Sequence, residues 1–350
     1  MKVKGLMRAL LCAWAFHFSF FTFHSAQAQI AGLNTLEVLD LTSSARTAAL
    51  GMDYLALYCD DLTIAIDNSS LLRSGMGGTG VLSFVPMFGG SNMGSLTYAH
   101  RFNRIGTVSF GFHFFNYGRF TEYDEEENNL GHFSAGDYAL VVGWGMWVDS
   151  NFSIGTNVKP VLSQYESYTA LALAIDLAGS YVSDDRSLAA TVMARNIGAQ
   201  LMTFDETVER LPFELSAEVS YKLRNAPFRL FFAATELQKW NLRYDDPLNP
   251  TSETDPFTGE VSEESWLAGT FDNLMRHTIF GIELNLGQNL FARMGYNYRR
   301  IAEMSAADAF NMSAFSFGVG LRTKKFEFSY SRRDYHLSQA LNYLTLSYCF

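Results

Sequence analysis

Apolar and polar residues alternate with a period of two along most of this chain. At its end, Leu344, Leu346, Tyr348 and Phe350 are interleaved with Thr345, Ser347 and Cys349. Successive side chains of a strand point to opposite faces, so this segment has one greasy face and one small or polar face. The same rule governs Phe152, Ile154, Thr156 and Val158 against Ser153, Gly155, Asn157 and Lys159. It recurs with Phe280, Ile282, Leu284 and Leu286 against Gly281, Glu283 and Asn285. Phe315, Phe317, Val319 and Leu321 alternate with Ser316, Gly318 and Gly320, and Phe326, Phe328 and Tyr330 with Glu327 and Ser329. About fourteen such segments follow one another, at 78–87, 92–101, 105–118, 135–149, 151–163, 168–182, 186–196, 211–224, 227–238, 273–287, 289–303, 312–323, 325–335 and 340–350. Their polar faces, rich in Gly and Ser, also carry Lys159, Glu283, Arg293 and Glu327. A sandwich core does not tolerate such a face, whereas a barrel lumen does. The pattern therefore predicts an all-β fold, a transmembrane antiparallel β-barrel of about 14 strands.

Connection lengths agree. Every second one is a tight turn, at Asn103-Arg104, Asp149-Ser150, Asp184-Asp185, Asn225-Ala226, Gly287-Gln288 and Lys324-Lys325. Among the others, 119–134, 197–210 and 239–272 are long. Short periplasmic turns and long outer loops are the asymmetry of outer-membrane barrels. Strand parity then predicts both termini in the periplasm and Phe350 at the inner interface.

The first residues read as an export signal. Lys2, Lys4 and Arg8 precede an apolar run from Ala9 to Phe23, and Ala26-Gln27-Ala28 offers a small-x-small cleavage site. Expected boundaries are 1–28 for the signal peptide, 29–77 for a periplasmic or plug segment and 78–350 for the barrel. Within 29–77, Thr42 to Gly51 reads as a capped helical turn. Thirty Phe and 17 Tyr suit lipid-facing strands with interfacial girdles. A net charge of -10 argues against nucleic acid as a partner. Cys59 and Cys349 are too few for a disulfide scaffold, and whether they pair is open; the alternation places Cys349 on the lumen row, near the plug.

No catalytic constellation stands out. His113, His132, His277 and His336 are scattered without nucleophile or metal-ligand spacing, so no enzyme, metal or cofactor is expected. The lumen charges Lys159, Glu283, Arg293 and Glu327 either line a polar conduit or pair with one another and with the plug. Two acidic loops, with Glu122 and Asp124 to Glu127 in one and Asp245, Asp246, Glu253, Asp255, Glu260, Glu263 and Glu264 in the other, lack calcium-loop spacing. The longer loop carries Trp240 and Trp266 near its ends and is the candidate protein contact. Outward register extended from Tyr296 and Tyr298 reaches Arg300, and from Phe328 and Tyr330 reaches Arg332. Both arginines are expected in the outer leaflet, either gripping lipopolysaccharide phosphate or snorkelling to water.

Several strings resemble a known family. They are Gly32-Leu33-Asn34-Thr35, Ser44-Ala45-Arg46 through Leu50-Gly51, and the run Phe133 to Leu140. Lys159-Pro160, Arg195-Asn196-Ile197-Gly198, Leu211-Pro212-Phe213-Glu214 and Gly295 to Arg300 continue the series. The chain is similar in these to the PorQ family of the type IX secretion system, with Gly51-Met52 and Asn68-Ser69-Ser70 as departures. The resemblance implies a FadL-type barrel of fourteen strands. It also implies a scaffold role in a surface attachment complex with PorU, PorV and PorZ, where PorZ is anchored and cargo is joined to lipopolysaccharide. The alternative is a FadL-like transporter of hydrophobic molecules. A transporter needs an apolar pocket beneath the loops and a lateral gap at a strand kink, for which Pro160 is a candidate.

Overall fold

A computed structural model describes residues 35–126, 128–205, 207–243, 253–254, 261–262, 265–287, 289–304, 312–336 and 339–350. The expected signal peptide and most of the acidic residues of the longest loop lie outside these. Fourteen antiparallel strands close into one barrel. They are β1 (Thr79–Pro86), β2 (Asn92–Phe102), β3 (Gly106–Tyr123), β4 (Asn129–Trp147), β5 (Phe152–Tyr165), β6 (Tyr168–Val182) and β7 (Leu188–Met202). They continue as β8 (Glu214–Lys222), β9 (Phe228–Ala234), β10 (Thr278–Leu286), β11 (Leu290–Asn297), β12 (Phe315–Arg322), β13 (Phe326–His336) and β14 (Gln339–Cys349). Each strand pairs with its sequence neighbours, and β14 returns to β1 with Thr79 opposite Cys349 and Phe84 opposite Leu344.

Exposure is inverted relative to a soluble protein. Leu82, Leu96, Phe110, Phe232, Phe280, Phe317 and Leu346 face outward and are exposed, while Ser83, Ser95, Asn157, Ser216 and Ser329 are buried inside. An apolar exterior over a polar interior is the signature of a barrel solvated by lipid. No helix among the described residues is long and apolar enough to cross a membrane; the strands do so.

Three expected boundaries moved. Strands β3 and β4 extend past the bilayer as a hairpin, so the loop expected over 119–134 shrinks to a tip at which the Asp124 carboxylate accepts from the N–H groups of Glu126 (2.9 Å) and Asn128 (2.8 Å). That acidic residue builds a turn. The stretch expected to open β10 is instead the end of a helix, α3 (Trp266–Arg276), described below with α4. β11 stops at Asn297 and gives way to helix α4 (Tyr298–Met304). Pro160 does not kink β5. Its partner on β6 is Leu173, and on the β4 side Ala139–Val161 and Val142–Val158 keep one register across the gap its missing N–H leaves.

Residues 35–77 fill the lumen as a plug. Its helix α1 (Ala45–Ala49) is capped by Ser44, whose side chain accepts from the Thr47 N–H, and is followed by Gly51 at φ 75°. Helix α2 (Leu62–Ala65) starts on Asp61 in the same way. The plug runs the length of the barrel. Thr35 N–H donates to Arg210 in the loop after β7 (3.1 Å), whereas Gly78 accepts from Phe350 N–H at the turn end (2.9 Å). The expectation of both chain ends on the turn side thus fits Phe350, but the described chain begins on the loop side. The main apolar core lies within the barrel, where Leu50, Leu55, Leu62, Ile64 and Leu72 pack against Val81, Ala99, Phe231 and Ile279. Gly155 and Gly295 let the wall meet plug backbone directly: a Cβ on either would overlap Ser69-Ser70 or Leu50-Gly51.

Candidate functional site

The plug is held by charge. Arg46 on α1 reaches Asp61 (2.5 Å) and Glu283 on β10 (2.9 Å); Glu283 also holds Arg293 on β11 (2.7 Å). Arg293 approaches Glu327 on β13 (3.9 Å), which binds Arg322 on β12 (2.6 Å), and Arg322 returns to Asp61 (3.5 Å). The result is a closed ring of alternating charge, two members from the plug and four from the wall, with no net charge. Burying ions is expensive unless each is paired and hydrogen-bonded. The four wall members pair among themselves, Arg46 pairs with Asp61 within the plug, and the Arg46–Glu283 and Arg322–Asp61 contacts join the two sets. Glu283, Arg293 and Glu327 are therefore brought together as lumen charges. Arg46, Asp61 and Arg322 were not singled out from the sequence, although an arginine among small residues in Ser44-Ala45-Arg46-Thr47-Ala48 is itself a signal of a paired buried charge.

Lys159 belongs to a second cluster on the opposite wall. It binds Asp176 (2.7 Å) and donates to the Asn196 side-chain oxygen (2.5 Å). Asn196 in turn donates to Asp40 of the plug (2.8 Å), while Arg195 pairs with Glu214 (3.0 Å) and donates to Leu39 O (3.3 Å). The gap around His113, Lys159 and Asp176 has a volume of 30 Å³, room for about one or two waters and no larger ligand.

Around Asn196 the wall is interrupted. Asn196 has φ 56°, and the β6–β7 register shifts between Ile175 and Leu177. Pairing of β7 with β8 ends at Arg195–Glu214, so the β7 residues beyond Asn196 pair with β6 only. Just inside this break lies an apolar cluster of Ala139, Val161, Ala172, Ala174 and Leu211, filled by Leu36 and Leu39 of the plug. The lateral kink expected at Pro160 is thus found at Asn196, a residue whose side chain and backbone are both held by the second charge cluster.

The loop end is capped by helices. Trp240 and Trp266 are both exposed; Trp240 stacks on His277 with ring centroids 5.8 Å apart. Tyr298 on α4 donates to Asp272 on α3 (2.7 Å), which also binds Arg276 (2.8 Å) and Arg243 (3.2 Å). The hydrogen bond to Asp272 pushes the Tyr298 phenol up to about 12. Burial opposes the charge on Asp272, but bonds from Tyr298 and Arg276 outweigh it and hold the carboxyl below its ordinary value.

Arg300 departs from its expected place. Because the chain turns helical at Tyr298, strand alternation no longer applies, and Arg300 is buried, donating to Gly51 O of the plug (3.4 Å). It does not face lipid. Arg332 keeps the outward register and is exposed on β13, opposite Phe317 of β12. Its neighbour Arg333 points inward to Met52 O (3.3 Å). Cys59 and Cys349 are free thiols; Cys59 lies 3.7 Å from Arg46 Nη1 and Cys349 is exposed at the turn end.

No family model matches the sequence, and no curated protein does either. Similar solved structures are outer-membrane barrels. The toluene transporter TodX of Pseudomonas putida has a TM-score of 0.49 at 11% identity, covering 89% of this chain and 98% of its own. The toluene transporter TbuX of Ralstonia pickettii gives 0.47 at 10%, covering 89% and 99%. A FadL homologue of Pseudomonas aeruginosa gives 0.47 at 10%, covering 88% and 98%. At this level the likeness is one of architecture.

Proposed function

We propose that this barrel is a plug-gated outer-membrane transporter of small hydrophobic molecules, released sideways at the β7–β8 break. The observation that carries the reading is the conjunction at Asn196: a kinked strand, lost pairing to β8, and an apolar cluster directly behind. A hydrophobic solute crossing an outer membrane gains from a path that avoids both the polar lumen and the polar surface. Leu36 and Leu39 occupy that path, so displacement of the plug as a whole within the barrel is the gating step. Uptake of a labelled monoaromatic hydrocarbon by cells producing the protein tests this. Ala172→Trp, which crowds the cluster that Leu36 and Leu39 occupy, is expected to reduce uptake to the level of cells lacking the protein. Uptake in wild-type cells no faster than in cells lacking the protein would overturn the reading.

A second reading keeps the barrel as a scaffold of a type IX secretion attachment complex that anchors a PorZ-type partner beside PorU- and PorV-type proteins and lipopolysaccharide. The resemblance to PorQ and the exposed Trp240 and Trp266 favour it. Affinity capture from detergent-solubilised membranes, followed by mass spectrometry, separates the two: co-purified secretion components support the scaffold, and their absence removes it.

A further inference from the structure

Helix α3 is turned inside out. Its polar residues make the contacts: Asp272 to Tyr298 and Arg243, and Asn273 to Leu242 N–H (2.8 Å) and Trp240 O (2.6 Å), with Asn273 only 5% exposed. Its apolar residues lie on the opposite face. Leu267, Phe271 and Leu274, at i, i+4 and i+7, form one stripe, while Trp266 is exposed at the first position of the helix, in the row of Asn273. They are 69%, 64%, 48% and, for Trp266, 77% exposed. A helix in water does the reverse.

The wall beneath this helix is unusually short. β8 to β12 have 9, 7, 9, 8 and 8 residues, against 14 to 19 for β3 to β7. Seven to nine residues rise about 23–30 Å along a strand. Tilted by about 45° they span about 16–21 Å of membrane, less than the apolar band of about 25 Å. Helix α3 ends two residues before Thr278, where β10 begins, and its C-terminal His277 O accepts from Thr235 N–H just after β9 (2.9 Å). It therefore sits on the short sector, next in line after the exposed Phe232 and Phe280 and the half-buried Tyr296 that pairs with Phe280.

We propose that α3 is an interfacial membrane helix, its Leu267–Phe271–Leu274 face seated at the headgroup–acyl boundary of the outer leaflet, where it completes the lipid-facing belt over the short strands. The occupant of this face is lipid, and the interface is continuous with that of the barrel. Tyr and Trp at such a level match the aromatic girdle of membrane proteins, and an amphipathic helix lying in the plane of the interface needs only this geometry.

The test uses the full mature barrel reconstituted in vesicles. An environment-sensitive fluorophore is attached at Phe271→Cys and, separately, at Asn241→Cys, in a Cys349→Ser background; the background protein alone gives the labelling of Cys59. The Phe271 probe is expected to emit at shorter wavelength, to be quenched by lipids spin-labelled near the glycerol, and to be several-fold less accessible to iodide than the Asn241 probe. Equal iodide access at the two positions would overturn the proposal. So would a blue shift that appears only after solubilised membrane proteins are added, since the occupant would then be a protein. Both sites are exposed, and heat-modifiable migration on gels verifies folding of each variant before it is read.

Discussion

Arg46 is the residue on which the plug turns. It is the plug's cation in a ring whose remaining cations, Arg293 and Arg322, belong to the wall. Removing Arg46 takes from Asp61 its closest partner, leaving Arg322 at 3.5 Å, while Glu283 keeps Arg293. The loss expected is therefore smaller than the about 3–5 kcal/mol of a fully unpaired buried charge. Arg46→Ala is therefore expected to lower the denaturant midpoint of the folded barrel and to expose residues 35–77 to protease from the turn side. An unchanged midpoint with an intact plug would show that the ring contributes nothing. The cap is governed by a different pair. The Asp272 carboxyl is held low in the folded state, so its contribution is present above the unfolded value of about 4 and is lost as pH falls through the folded one. Tyr298 is raised to about 12, so its contribution is present below the unfolded value of about 10 and fades as pH rises toward 12. Amide exchange in α3, corrected for intrinsic chemical rates, should accordingly show constant protection between pH 5 and 9 and lose it outside that window. A midpoint near neutrality would contradict the assignment of the cap to this pair.

At the scale of elements, strand alternation was readable wherever lipid faced one side and the plug the other. β6 spans Tyr168–Val182, as the pattern predicts, and β2 and β13 differ from expectation by a single residue at one or both ends. The pattern misled above the bilayer, where no lipid enforces a period of two. Tyr296, Tyr298 and Arg300 alternate like a strand, yet Tyr298-Arg299-Arg300-Ile301-Ala302-Glu303-Met304 consists largely of good helix formers and folds as one. Arg300 consequently turns onto the plug. Within the wall, glycines at plug contacts act as seats. Gly155→Val would drive a side chain into Ser69-Ser70, and overpacking of this kind costs about 1–3 kcal/mol. Because the wall is fixed by its ladders, the plug is the part expected to yield. Planar-bilayer recordings should show larger or more frequent conductance events for Gly155→Val than for the wild type. A variant as silent as the wild type would mean that the wall, not the plug, had moved.

For the whole molecule, the barrel and the existence of a plug could be read from residues, but the plug's course could not. Nothing in Leu36-Glu37-Val38-Leu39 announces that it lies beside Leu211, because the contact is made across more than 170 residues of intervening chain and is set by how the barrel closes. The same holds for the break at Asn196: an Asn within alternating sequence reads as an ordinary lumen residue, and only the pairing of β7 with both neighbours exposes the kink. Function divides on whether the plug moves. Leu50 Cβ lies 3.4 Å from the position a Cβ on Gly281 would take, close to the separation of about 3.5–4.5 Å that a disulfide requires. Leu50→Cys with Gly281→Cys, in a Cys349→Ser background, therefore provides a reversible bolt between plug and wall. The decisive measurement is uptake of a labelled monoaromatic hydrocarbon by cells carrying this pair, oxidised and then reduced. A plug-gated transporter predicts uptake abolished on oxidation and restored by reductant; uptake that is indifferent to the bolt contradicts it.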